Sequence, residues 1–134
     1  MIIECVLAGV SFHHAALSPS DKNMIANSYL NGLLNVICTT STLAVGINLP
    51  AHLVIIKSTH HWVNGETKDY SELDMMQMLG RAGRPQFDDS AVAVILTTHE
   101  KKQRYQDLIT GKEIIESRYN LSLKLVFMSI WWNT

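Results

Sequence analysis

No stretch of this 134-residue chain approaches the roughly eighteen consecutive apolar residues of a membrane span. The opening Met1-Ile2-Ile3-Glu4-Cys5 has no basic segment leading into a long apolar run. Neither a spanning helix nor a secretory leader is expected. Cysteine is scarce: Cys5 and Cys38 stand far apart, without the paired spacing of a zinc site or the density of a secreted disulfide scaffold. That scarcity fits a reducing compartment, cytosol or nucleus. An excess of one charge is lacking as well, with 11 Lys and Arg against 12 Asp and Glu and a net charge of -1. No bulk positive field would hold the chain on nucleic acid, so any such contact is local. Internal repeats and low-complexity tracts are absent too.

What is present is a 47% hydrophobic, 17% charged composition, which supports a packed core and excludes a disordered chain. At 15.0 kDa the length suits one domain. Ser18-Pro19-Ser20-Asp21 reads as a capped helix start, with Pro19 at the first helical position and Asp21 closing a capping box. That helix should run to about Asn31 and stop at Gly32. Short β-rich runs at 10–13, 35–39, 53–57 and 91–97 read as strands. The last, Ala91-Val92-Ala93-Val94-Ile95-Leu96, is apolar at every position, as in a parallel-sheet strand covered on both faces. Helical patterns at about 19–31, 41–45, 71–83 and 99–109 alternate with the strands, which predicts an α/β layer fold. Between His60 and Tyr70, the dipeptide Asn64-Gly65 marks a hairpin tip.

A second capping box, Ser71-Glu72-Leu73-Asp74, opens a helix that continues into Gly80-Arg81-Ala82-Gly83-Arg84-Pro85. At 100° per residue, Met75, Met78, Leu79 and Ala82 would share one face, and Gln77, Arg81 and Arg84 the opposite one. Two guanidinium groups a turn apart suit several phosphate oxygens at once, better than lysines would. Gly80 and Gly83 leave room beside them for a ligand or another backbone. Earlier in the chain, Thr39-Thr40-Ser41-Thr42 sits at the end of an expected strand, where hydroxyls and a helix start favour phosphate. The pair His13-His14 closes another strand; no Cys or acid cluster accompanies it, so a metal site is not expected.

These segments together resemble superfamily 2 helicases of the superkiller-like branch. The run Gln77 to Asp88 resembles motif VI, Thr39 to Ala51 motif V, and Gly9 to Leu17 motif IVa, in family order and over about residues 3–117. The resemblance implies the second of two RecA-like lobes, a P-loop NTPase-type parallel sheet flanked by helices. It implies that Arg81 and Arg84, with Gln77, reach the phosphates of a nucleotide, Arg84 as an arginine finger. Gly46, Asn48, Gly80 and Gly83 would lie near that nucleotide. Thr39 and Thr40 would grip the nucleic-acid backbone, with His13 and His14 close by. ATP and magnesium are the implied cofactors, held mainly by a first lobe whose phosphate loop and acidic magnesium box have no counterpart here. DNA is the implied nucleic acid, because the chain looks most like the meiotic crossover members of the branch. That assignment puts it in the nucleus, with the first lobe as its protein partner and no membrane. An RNA-unwinding lobe, or a non-catalytic binding module, is the alternative, since backbone contacts do not reveal sugar type.

The resemblance has two departures. Ala16 stands where that family's motif IVa has glycine, and the strand that opens its second lobe has no counterpart before Val10. After about Ser117 the tail, ending in Trp131-Trp132, diverges. It reads either as sequence foreign to the lobe or as a short strand covering a sheet edge.

Overall fold

The computed structural model describes residues 2–41, 43, 48–84, 90–110 and 122–129. They fall into two compact units, 1–49 and 50–134, each taken by itself.

The first unit opens with helix α1 (Ile2–Leu7), followed by strand β1 (Val10–His13), helix α2 (Pro19–Leu30) and strand β2 (Val36–Thr39). Ser18 caps α2 by accepting from the Asp21 amide, and Pro19 occupies the first turn. The other end is a Schellman closure. Gly32, at φ +73°, donates to the Tyr29 carbonyl, and Leu33 to that of Ser28. The chain then returns so that β2 lies parallel to β1, in the register Val10 with Val36 through His13 with Thr39. A crossover helix between parallel strands is the βαβ unit that the alternation predicted. Among its described residues the buried side chains are Ala26, Leu34 and Leu49, with Ser11 and His13.

The second unit holds strand β3 (Leu53–Ile56), the hairpin β4 (His60–Val63) and β5 (Glu66–Asp69), helix α3 (Glu72–Leu79), strand β6 (Ser90–Thr97), helix α4 (His99–Thr110) and strand β7 (Ser122–Ser129). Asn64 and Gly65 both have positive φ, 52° and 84°, as a two-residue type I′ reversal requires. The main sheet is parallel, in the order β3-β6-β7. Its strands are added in one direction only, so right-handed crossovers place α3 and α4 on the same face. Accordingly, Met75 and Leu79 of α3 and Tyr105 of α4 share one cluster with Ile56, Ala93 and Ile95.

That topology corrects the reading of β6 as covered on both faces. Ala91, Ala93, Ile95 and Thr97 are buried, while Val92, Val94 and Leu96 are only half-buried. On the same side as these three, Leu53 and Ile55 of β3 stay 47% and 58% exposed. A second correction concerns α3, which ends at Leu79 with Gly80 as its C-cap. Arg81 and Arg84 therefore do not lie on a helical face with Gln77. The helix predicted at 41–45 falls mostly outside the described residues, as do Pro85 and Gly46. Of the tail, 122–129 pairs with β6 along its whole length, from Ser90 with Ser122 to Thr97 with Ser129.

Candidate nucleotide and nucleic-acid sites

The carboxyl ends of β1 and β2 bring four of the sequence candidates together. Parallel pairing sets His13 opposite Thr39, and the Thr40 amide donates to the His13 carbonyl at 3.3 Å. Carboxyl ends of parallel strands are where α/β folds place their ligands. Thr39 and Thr40 are exposed there, and the Thr39 hydroxyl donates to the Thr40 carbonyl oxygen at 2.8 Å. The two histidines differ. His13 has only 5% of its surface exposed, and neither ring nitrogen has a hydrogen-bond partner among the described residues. Burial, then the Lys22 ammonium and His14, hold its pKa below the ordinary histidine value. It is a neutral, inward ring. His14 is half-exposed and stacks on Phe12 with ring centroids 5.7 Å apart, so of the pair it is the one that presents a ring edge to solvent. Asn48 is exposed too, farther along the same unit.

In the second unit, the arginine segment is built from α3 outward. The Ser71 capping box is complete: Ser71 accepts from the Asp74 amide, and the Asp74 carboxylate accepts from the Ser71 amide. Fully buried Met75 and nearly buried Leu79 then fix the rotation of the helix, leaving Gln77 half-buried. Past the helix the turn tightens. Gly80 donates to Met76 at 2.8 Å, then Arg81 to Met78 at 3.2 Å and Ala82 to Leu79 at 2.9 Å, the last two spanning three residues rather than four. Gly83 follows at φ +100°, a value that side chains with a Cβ rarely adopt.

The result is a chain reversal with Arg81 half-buried on its near side and Arg84 exposed beyond it. The two glycines differ in use. Gly80 is exposed, whereas Gly83 is buried and its amide is committed to the Ala51 carbonyl at 2.7 Å. Gly83 therefore serves the reversal of the chain.

Sequence reasoning missed two features. Ala51 makes a parallel bridge with Ala82 and donates to the Arg81 carbonyl at 2.9 Å; these are main-chain contacts, which no side-chain pattern announces. Asp69, at the base of the hairpin, receives Lys101 at 2.6 Å and Arg104 at 3.5 Å from α4. The Lys101 hydrogen bond, reinforced by both charges, holds the Asp69 carboxyl below its usual range against a smaller opposing effect of burial. The charged positions were visible, but their separation in sequence hid the pairing. Among the described residues no cluster of three or more His, Cys, Asp or Glu could hold a metal ion. No described helix is long and apolar enough to cross a membrane.

Parallel strands flanked by helices, with an arginine reversal after α3, define a RecA-like α/β lobe, and comparison with known proteins agrees. The helicase conserved C-terminal domain matches residues 4–86, and the chain belongs to that family. The ATP-dependent DNA helicase MER3 of Saccharomyces cerevisiae is 50% identical over 120 residues, 90% of this chain and 10% of the relative. The probable ATP-dependent DNA helicase HFM1 of Homo sapiens is 48% identical over 109 residues, 81% of this chain and 8% of the relative. Human activating signal cointegrator 1 complex subunit 3 is 46% identical over 117 residues, 86% of this chain and 5% of the relative. The chain thus spans about a tenth or less of the length of the curated relatives it matches.

Proposed function

We propose that this chain is the second motor lobe of an ATP-dependent DNA helicase, and that it supplies the arginines that complete a nucleotide site begun by a first lobe. The observation that carries this reading is the reversal after α3, which presents Arg84 to solvent beside half-buried Arg81. Guanidinium groups suit a triphosphate because their planar donors match phosphate oxygens two at a time. ATP supplies a γ-phosphoryl group whose charge spreads over its oxygens during transfer, and in this reading Arg84 neutralises that charge. Arg81 and Gln77 orient the group, and exposed Gly80 leaves space beside it. Magnesium would take its acidic ligands from the first lobe.

Thr39 and Thr40 hold the phosphate backbone of the strand, and His14 adds an edge contact that inward His13 supports from beneath. Similarity to the ATP-dependent DNA helicase MER3 and the probable ATP-dependent DNA helicase HFM1 supports DNA over RNA, and a meiotic role in the nucleus belongs to the same reading.

The test is ATP hydrolysis by this chain with and without a separately expressed first lobe, in the presence of DNA or RNA. Hydrolysis should require both lobes and DNA, and Arg84→Ala should lower kcat by about a thousandfold or more. Hydrolysis by this chain alone would refute the split site; a fully active Arg84→Ala would refute the finger. Stronger stimulation by RNA would reassign the substrate.

A further inference from the structure

The reversal that carries Arg81 and Arg84 has no regular element of its own. It lies past the end of α3, and the segment that leads to β6 begins directly after it. Among the described residues, Ala51 ties it on the other side through two main-chain bonds. The Ala51 amide donates to the Arg81 carbonyl at 2.9 Å, and the Gly83 amide donates to the Ala51 carbonyl at 2.7 Å. Together they form a parallel bridge between Ala51 and Ala82. Both bonds are within the ordinary range for N–H to oxygen. Gly83 is buried, so its amide could not turn to water instead. The bonds flank Ala82, so Arg81 and Gly83 are tied to the same partner while the side chains of Arg81 and Arg84 are left outside the ladder. Gly83 leaves the bridge at φ +100°, which turns the chain that follows it.

We infer that Ala51 is the positioning residue of the arginine reversal, setting through its main chain where Arg81 and Arg84 stand. This rests on the proposal that the arginines act on nucleotide phosphates. Ala51 closes the stretch resembling motif V and is followed at once by β3, whose pairing with β6 anchors it to the sheet. The arginines are thereby referred to the sheet rather than to α3 alone. Displacing a catalytic group by about 1 Å can cost on the order of a hundredfold in rate, so a two-bond pin at this point has leverage.

The test is a double-mutant cycle in the full chain reconstituted with the first lobe and DNA. Ala51→Pro removes the donor to Arg81 and leaves the side chains of both arginines intact. It should lower kcat for ATP about ten- to a hundredfold, with a much smaller change in KM. On a background carrying both Arg81→Ala and Arg84→Ala it should add no more than about twofold, because a pin acting through the two arginines has nothing left to position. A merely structural effect would multiply in full on that double-arginine background, and that result overturns the inference. So does an Ala51→Pro protein with wild-type kcat alongside a crippled Arg84→Ala. If Arg84→Ala is itself silent, the functional proposal falls and the inference falls with it. Should Ala51→Pro fail to give the wild-type far-UV circular dichroism, Gly83→Ala replaces it in the same cycle. A Cβ at φ +100° strains the same bridge from the other strand.

Discussion

The two units of this chain solve the problem of burial very differently. Residues 50–134 gather Ile56, Met75, Leu79, Ala93, Ile95 and Tyr105 into one cluster between a sheet face and two helices. Among the described residues of 1–49, the buried apolar side chains are Ala26, Leu34 and Leu49, while Leu7 and Leu33 stay 82% and 70% exposed. Each buried large apolar side chain contributes about 1.5–3 kcal/mol, so among the described residues the second unit carries the larger source of stability. The candidate sites divide in the same way. The arginine reversal stands on the well-packed unit, and the strand-end threonines and histidines stand on the sparsely packed one. Nucleotide chemistry needs fixed geometry, whereas a grip on a nucleic-acid backbone tolerates a softer platform.

That contrast can be broken most directly at Ile95, which is fully buried in the cluster. Ile95→Ala should cost about 2–5 kcal/mol in chemical denaturation, with amide exchange accelerating along β3 and β6. A cost below about 1 kcal/mol would mean that the second unit is no better built than the first.

A smaller effect should appear in the first unit as a pH dependence. His13 is held neutral by burial, with Lys22 and His14 adding to the effect, so its folded pKa lies below the unfolded value. The unfolded chain then binds the proton more readily. The stability due to neutral His13 is complete above about pH 6.5, the ordinary histidine value, and declines as pH falls below it. Urea unfolding of the full chain between pH 7 and pH 5 should show this slope, and His13→Gln should flatten it. An unchanged slope in His13→Gln would assign the dependence elsewhere.

The smallest effect belongs to the clamp between the hairpin and α4. Its side chains are about a third to half exposed, so Asp69→Asn should cost only about 0.2–1 kcal/mol and less in high salt. Because the Asp69 pKa is lowered, this contribution should be present at neutral pH and fade as pH falls below about 3.9. A cost independent of salt would show that packing, not charge, fastens the hairpin.

Much of this architecture was legible because it is written locally. Ser18 and Ser71 mark helix starts by the physics of unsatisfied amides, and Gly32 marks a helix end by its freedom at positive φ. Asn64-Gly65 marks the hairpin for the same reason, and the apolar run from Ala91 marks a strand. Tertiary effects were not legible. Helical periodicity carries through Gly80 and Arg81, but a bridge to Ala51, some thirty residues earlier, competes for the backbone there and ends the helix. Strand alternation showed that His13 and His14 point opposite ways without revealing which points inward, because that depends on where α2 packs. Likewise, the half-bare face of β6 follows from strand order, which no stretch of sequence states by itself.

The Asn64-Gly65 reversal constrains how this protein can vary over evolution. The ribbon around it pairs Trp62 with Thr67 and His61 with Lys68 on alternating faces, with Trp62 72% exposed. Side chains in a ribbon alternate with a period of two, so one residue added to one arm alone would put the facing pairs out of step and set His60 out of line with Asp69. Added to both arms together, residues would preserve every facing pair. The excursion can therefore grow or shrink only in steps of a matched pair, and length differences among homologues at this point should come in even numbers.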